Sequence, residues 1–184
     1  MPYAVTHILI PIILVSIIRD FYLKKKQKAN FHLHYVLIAG LGGVLPDIDI
    51  IFSFFLNIVG IDNWYVHRTI THSLLLPLIL FALFIVFTPV NKKARICNIT
   101  RHNLKLSTIL LMLSIGVSIH ILLDSLFGEL AYFLYPILAQ QFGINLVLYL
   151  PKGIQDLALP TLDGALLVLW ITYLELRHKI SDYI

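Results

Sequence analysis

The chain has 184 residues, of which 59% are hydrophobic and 13% are charged, and its formal net charge at pH 7 is +4. Soluble domains are only about half apolar, so this composition excludes an ordinary soluble domain and predicts one integral membrane domain, residues 1–184. The basic residues lie in short loops between apolar segments rather than beside base-stacking aromatic residues, so we expect a lipid bilayer around the chain and no nucleic-acid partner. The single cysteine, Cys97, cannot form an internal disulfide.

Five apolar segments follow one another along the chain, and each approaches the ~20 residues that a helix needs to cross a bilayer. No basic segment precedes the first of them and no small-residue cleavage site follows it, so we expect a retained membrane helix rather than a signal peptide. The sequence therefore predicts an all-α, polytopic membrane protein with about five transmembrane helices. In chain order the segments are residues 3–23, 33–59, 74–90, 106–127 and 157–176.

Two stretches depart from regular helix. Glycines and Pro46 interrupt the second segment just before Asp47 and Asp49. Broken helices at membrane depth usually line protein or water rather than lipid. Residues 129–150 contain Pro136 and several polar residues, so we predict an interfacial or re-entrant helix there rather than a sixth crossing.

The loop charges predict how the helices are oriented. All of the basic residues except Arg68 and Lys152 lie at the end of the first segment and just after it, between the third and fourth segments, or after the fifth. The positive-inside rule makes these parts cytoplasmic. The chain then begins outside and crosses the membrane five times, which brings four polar clusters to one level near the extracytoplasmic face. The clusters are His7, Asp47 with Asp49, residues 67–73, and His120 with Asp124.

A carboxylate near the middle of a membrane helix is disfavoured by roughly 2.5 to 3.5 kcal/mol, so these clusters need a reason. His120 and Asp124 are four residues apart, so both side chains project from one helix face and can hold an ion. The alternative is a histidine hydrogen-bonded to a neighbouring carboxylate.

Asp47 and Asp49 can aim at one site from irregular backbone, one as a ligand and the other as a ligand or as a partner that orients a histidine. Their alternative is helix capping.

His67 and His72 are five residues apart, which suits a loop better than one helix face. Thr71 or Ser73 would cap the helix that follows. Arg68 could clamp an anionic oxygen or a phosphate, or its side chain could instead reach the lipid headgroups.

Together the clusters offer imidazoles and carboxylates, a ligand set that suits zinc, with manganese or iron as alternatives. We expect two divalent ions. With three carboxylates around them, the net charge of the site is about +1, which attracts an anionic substrate. Such a pair of ions activates water for hydrolysis. His7 is the ligand least supported by spacing, since a histidine near a helix end is often only an interfacial polar residue. The predicted ligands are His7, Asp47, Asp49, His67, His72, His120 and Asp124, whereas His32, His34, His102 and His178 fall on the cytoplasmic side.

These motifs, in this order, resemble those of the YdjM-type family of inner-membrane proteins, to which metal-dependent hydrolase activity is assigned. Pro11 departs from the pattern, since the family often has glycine four residues after the first histidine. The resemblance implies a multi-pass helical fold in the inner membrane and a distant likeness to zinc-dependent phospholipases C. The matching motifs are Thr6-His7, Gly-Gly-Val-Leu-Pro-Asp-Ile-Asp at 42–49, His-Arg-x-x-Thr-His-Ser at 67–73 and His-x-x-Leu-Asp at 120–124.

The leading hypothesis is a metal-dependent hydrolase that acts at the outer face of the membrane on a phosphoester of a lipid or lipid-linked molecule. Arg68 would steady the phosphate, and general base duty would fall to a spare aspartate, Asp49, or to metal-activated water. Two alternatives come from other classes. One is an ion or proton transporter, because intramembrane Asp and His residues also form ion paths. The other is a non-catalytic protein whose metal centre only joins helices.

Overall fold

The computed structural model describes residues 4–25, 31–60, 70–90, 97–99, 102–127, 132–138 and 140–179. Within these residues the predicted α-helical class is confirmed, apart from one small antiparallel ribbon and one turn of 3-10 helix. The helices are α1 (Ala4–Lys25), α2 (Leu33–Gly42), α3 (Ile48–Ile58), α4 (Leu75–Val90), α5 (Leu106–Phe127) and α6 (Lys152–His178). The ribbon pairs β1 (Cys97–Ile99) with β2 (His102–Leu104), and the 3-10 helix is Leu146–Tyr149.

The predicted number of spanning helices is wrong for the described residues. Three helices, α1, α5 and α6, are long and apolar enough to cross a membrane. The second predicted helix is two short ones, α2 with 10 residues and α3 with 11. α4 has 16 residues, and a helix of that length measures about 24 Å, short of a ~30 Å hydrocarbon core. The length of the second apolar segment overestimated the length of its helix, because apolar composition does not show where the backbone turns.

The break between α2 and α3 falls at the glycine and proline stretch, as predicted. Backbone N–H groups there bond three residues back, from Val44 to Leu41 and from Asp47 to Val44, each at 3.1 Å. Such bonds tighten the chain into turns. Gly43 lies against the backbone of His7, where a Cβ atom would overlap the His7 carbonyl oxygen. Only glycine permits this approach, so the end of α2 lies directly beside the first turns of α1.

Helices α1, α2 and α5 form the core of the fold. Gly116 of α5 packs against the backbone of Ala39 in α2, with no room for a side chain between them. Small residues at helix contacts are typical of membrane proteins, because they let backbones approach closely. This packing holds the three helices in a defined register. The buried apolar side chains around the contact are Ile12, Val15, Tyr35, Val36, Ala39, Leu104 and Met112.

α2 and α5 run parallel. At one end of the pair, the Lys105 backbone N–H donates to the Tyr35 hydroxyl at 2.9 Å. At the other end, the His120 side chain lies against the carbonyl oxygen of Gly43. Residues near the C-terminal end of α5 are therefore brought to the α2–α3 break.

α6 packs along α1, also in the parallel direction. Thr6 donates a hydrogen bond to Asp163 near the start of α1, and Asp20, near its end, accepts bonds from Tyr173 and Arg177, both at 2.8 Å. Parallel first and last helices are what the loop-charge topology requires. Which side of the membrane is cytoplasmic stays a prediction.

The segment that joins α5 to α6 contains no α-helix among its described residues, so the interfacial or re-entrant helix predicted over residues 129–150 is wrong there. The segment forms turns and the 3-10 helix, because its prolines, glycine and polar side chains do not sustain a regular helix. The Ile144 N–H bonds to the Ser125 carbonyl at 2.8 Å, and the Leu74 N–H bonds to the Phe133 carbonyl at 2.9 Å. These bonds tie the segment to the ends of α4 and α5.

Candidate metal centre

Six of the eight predicted site residues lie close together at one end of the α1, α2 and α5 core. The other two, His67 and Arg68, lie outside the described residues. Four separate parts of the chain contribute to the group, and metal binding by it stays a prediction. The six are His7 of α1, Asp47 and Asp49 at the start of α3, His72 just before α4, and His120 and Asp124 of α5.

His120 lies at the centre of the group with no exposed surface. Its Nδ1 is 2.7 Å from the carbonyl oxygen of Gly43. A carbonyl oxygen only accepts, so we assign the ring proton to Nδ1, which leaves Nε2 with a lone pair. A histidine that donates one nitrogen to a carbonyl and presents the other is the usual form of a metal-binding histidine.

Two imidazole nitrogens each lie opposite the same two carboxylate oxygens. The Nε2 atom of His72 lies 3.4 Å from Asp47 Oδ1 and 3.6 Å from Asp124 Oδ2. The Nε2 atom of His120 lies 3.6 Å and 3.3 Å from the same two oxygens. We call these the four facing atoms. Each nitrogen is nearly equidistant from both oxygens.

The separations among the four facing atoms suit ligands of one cation better than direct hydrogen bonds. Charge-assisted N–H···O bonds measure about 2.7 to 2.9 Å, and within the described residues His120 Nε2 has no hydrogen-bond partner. Four ligands placed tetrahedrally at ~2.1 Å from zinc are about 3.4 Å apart. Neighbouring ligands of an octahedral magnesium are about 3.0 Å apart. The four nitrogen–oxygen separations, 3.3 to 3.6 Å, are closer to the tetrahedral spacing than to the octahedral one.

His7 extends the cluster on the other side of Asp124. Its Nε2 lies 3.4 Å from Asp124 Oδ1, whereas Asp124 Oδ2 faces His72 and His120. The His7 ring also stacks on the His120 ring, with centroids 4.0 Å apart. Pro11 stands where the family often has glycine, but α1 continues as a helix through it. His7 therefore stays within the cluster. The two carboxylate oxygens of Asp124 thus face different histidines, Oδ1 toward His7 and Oδ2 toward His72 and His120.

Asp49 lies behind His72 rather than among the four facing atoms. The Thr71 hydroxyl donates to Asp49 Oδ2 at 2.5 Å, and the same oxygen is 3.6 Å from His72 Nδ1. The other ring nitrogen, Nε2, is the one that faces Asp47 and Asp124. Asp49 is therefore placed to orient His72, one of the two roles that the sequence left open.

The capping alternative fails for Asp47, whereas the separate prediction that Thr71 or Ser73 caps the next helix is supported for Ser73. Asp47 occupies the N-cap position of α3, but its side chain makes no capping hydrogen bond. Ser73 accepts a hydrogen bond from the Leu75 N–H at 3.3 Å and so caps the start of α4. The position of Asp47 among the facing atoms thus needs another explanation.

The cluster is most accessible at Asp47, whose side chain is 22% exposed, against 5% or less for the other residues of the facing atoms. Within the described residues, Asp47 and Asp124 form ion pairs only with histidines. Buried carboxylates without a basic partner are costly. A bound cation, protonated histidines or protonated carboxyl groups would each relieve this cost, and Asp47 is the most exposed of the four residues.

Nearly the whole chain, residues 1–178, matches one protein family, described as YdjM inner membrane protein. The chain belongs to this family. No curated protein and no solved structure matches it. The family confirms the resemblance read from the motifs, and it indicates an inner-membrane location. Large exposed apolar side chains, such as Phe54 of α3 and Val168 of α6, are consistent with that location.

One carboxylate near the centre, Asp163 of α6, is not among the predicted site residues. It accepts a hydrogen bond from Thr6, which is nearly fully buried and directly precedes His7. A signal existed in the sequence, because Asp163 lies inside the apolar segment 157–176 and intramembrane carboxylates usually have a role. Spacing could not supply its partner, since 157 positions separate the two residues.

Proposed function

We propose that this protein is a membrane-embedded, metal-dependent hydrolase that uses zinc and cleaves a phosphoester of a lipid or lipid-linked molecule. The four facing atoms are the observation that supports the proposal, because their spacing of 3.3 to 3.6 Å fits tetrahedral zinc ligands. Imidazole and carboxylate are also the ligand types of catalytic zinc sites.

The residues of the cluster divide into two metal positions. A second ion would be held by His7 and by the oxygen of Asp124 that faces it, with His67 predicted as a further ligand. Asp49 would hold His72 in place through its Nδ1. We propose this role for Asp49 ahead of the predicted ones of ligand or general base, because its Oδ2 atom accepts from Thr71 and lies 3.6 Å from His72 Nδ1. The first ion would be held by Asp47, His72, His120 and Asp124.

A bound pair of divalent ions would activate water and stabilise charge on the attacking and leaving oxygens. The chain supplies the surroundings. Burial of the histidines keeps bulk water out, and Asp47 forms the accessible edge where a substrate would enter. Arg68, beside His67 in the sequence, is predicted to bind the phosphate of the substrate.

The depth of the centre favours a lipid-linked substrate. His120 is 14 residues beyond the start of α5, and at 1.5 Å per residue this is about 21 Å along the helix. A hydrocarbon core is ~30 Å thick, so the centre would lie about two-thirds of the way across it. With the loop-charge topology, that position is in the outer leaflet, within reach of a phosphoester carried by a lipid.

A second candidate is a structural metal centre without catalysis. Burial favours it, since His72 and His120 are at most 1% exposed and the cluster joins four separate parts of the chain. In that case protein ligands would saturate the metal, with no position open for water.

Metal content tests the first part of the proposal. Wild-type protein purified in detergent without chelators should retain zinc, and His120→Asn and Asp124→Asn should lose it. His34→Asn is the matched control, because His34 lies on α2 outside the cluster and this variant should keep its metal. A wild-type protein that neither retains nor rebinds a divalent metal would contradict a metal-dependent function.

A phosphoester panel then separates catalysis from a structural centre. Zinc-loaded protein should cleave phosphomonoester or phosphodiester lipids in mixed micelles faster than water-soluble nitrophenyl esters of the same type. The rate should fall with Asp47→Asn. Zinc binding without any hydrolysis across the panel would instead support the structural centre.

A further inference from the structure

The carboxylate of Asp163 lies on α6, a helix that has little other protein packed around it. None of the described side chains of α6 is buried, and a carboxylate that faces lipid is costly. The hydroxyl of Thr6, only 1% exposed, donates a hydrogen bond to Asp163 Oδ1. This hydrogen bond therefore gives a partner both to the buried Thr6 hydroxyl and to the intramembrane Asp163 carboxylate.

The three histidines of the cluster are not supported equally. The Nδ1 atom of His120 is held by the Gly43 carbonyl, and the Nδ1 atom of His72 lies beside Thr71 and Asp49. By contrast, His7 Nδ1 is buried and has no hydrogen-bond partner within the described residues. The position of the His7 ring must therefore come from its backbone and from stacking on its neighbour.

The backbone of His7 belongs to the first turns of α1, where helices fray most easily. The first N–H groups of a helix have no partner within it, and negative charge is favourable there. Asp163 supplies a hydrogen-bond acceptor at this end of α1, through the side chain of the residue immediately before His7.

We propose that Asp163 is a positioning residue: by accepting the Thr6 hydroxyl, it holds the first turns of α1, and with them His7, against the metal centre. The inference rests on the proposed function only in treating His7 as a ligand. α6 is also attached to α1 at its other end, where Tyr173 and Arg177 donate to Asp20. We therefore expect α6 to stay docked when the Asp163 contact is removed.

Substitutions on both sides of the hydrogen bond test the proposal. Asp163→Leu removes the acceptor and Thr6→Val removes the donor while keeping the shape of the side chain. Each should weaken zinc binding by about tenfold, the lower end of what loss of a supporting residue costs in metal sites. Asp163→Asn keeps an acceptor oxygen and should remain within about twofold of wild type. Zinc affinity is measured in detergent by competition with a chromophoric chelator.

The double variant and a control distinguish positioning from general destabilisation. Thr6→Val with Asp163→Leu should bind zinc no more weakly than Asp163→Leu alone, because both changes break one bond. Asp156→Leu is the control, since Asp156 is exposed on the same face of α6 two turns earlier, and it should bind zinc as wild type does. Additive losses in the double variant, or a loss in Asp163→Asn equal to that in Asp163→Leu, would overturn the proposal.

Hydrogen exchange gives a second readout that needs no metal. The amides of residues 4–10 should exchange at least several-fold faster in metal-free Thr6→Val and Asp163→Leu than in metal-free wild type, with α5 unchanged. If wild type binds no zinc but shows this difference, the proposed function fails and the positioning role stands. If wild type binds zinc while both variants match it in affinity and exchange, the positioning role fails alone.

Discussion

His120 and Gly43 are 77 residues apart in sequence, and in the structure the imidazole Nδ1 lies 2.7 Å from the glycine carbonyl oxygen. Gly43 is the C-cap of α2, so its carbonyl has no donor within the helix. One hydrogen bond therefore gives the last carbonyl of α2 a donor and also directs His120 Nε2 toward Asp47 and Asp124. The packing of two helices and the orientation of a proposed ligand depend on the same contact.

The two aspartates of the Pro-Asp-Ile-Asp stretch should respond differently to substitution. Asp49→Asn and Thr71→Val should weaken zinc binding by about 10- to 100-fold while leaving the number of ions at saturation unchanged, as expected for groups that orient a ligand. Asp47→Ala should reduce that number, because it removes a facing oxygen. Titration with zinc and a competing chelator measures both quantities. A lower stoichiometry in the Asp49 variant would show that Asp49 is itself a ligand.

Gly43→Ala should destabilise the protein by about 1 to 3 kcal/mol, the usual cost of forcing extra atoms into a packed contact. The added methyl group meets the His7 carbonyl oxygen, and neither backbone can move without shifting the other. Zinc affinity should fall as well, because both His7 and His120 are held at this contact. Gly164→Ala is the matched control, since nothing lies within 4 Å of that position. Thermal unfolding in one detergent compares the two, and equal stability would refute the packing argument.

Local patterns predicted the parts of the site that lie within one element. The helix period brings His120 and Asp124 to the same face, and they are 3.3 Å apart. Glycine and proline chemistry likewise predicted a break before Asp47. Both predictions needed only neighbouring residues.

Contacts between distant segments could not be obtained in this way. That Asp49 lies behind His72 depends on how the segment before α4 folds, and periodicity does not describe such a segment. The partner of Asp163 depends on the docking of α6 along α1. The count of spanning helices was too high because the backbone between α2 and α3 bends within one apolar segment and because α4 has only 16 residues.

Zinc should stabilise the protein if the facing atoms hold it, because the centre joins α1 and α5 to the segments before α3 and α4. A ligand that binds only the folded state at 100 times its dissociation constant adds about 2.7 kcal/mol. The melting temperature of chelator-treated protein should therefore rise with zinc concentration. In Asp124→Asn the rise should be absent, since this residue faces all three histidines of the cluster. A zinc-dependent rise of equal size in that variant would place the bound metal elsewhere.

The single natural cysteine allows the predicted orientation to be tested directly. Cys97 lies between α4 and α5, in the loop that the positive-inside rule makes cytoplasmic. In intact cells it should resist a membrane-impermeant maleimide and react only after permeabilisation. Lys152→Cys, in a Cys97→Ser background, should show the reverse, because Lys152 is exposed at the start of α6 on the predicted outer side. The opposite labelling pattern would put the metal centre nearer the cytoplasmic face, and its lipid substrate would then have to come from the inner leaflet.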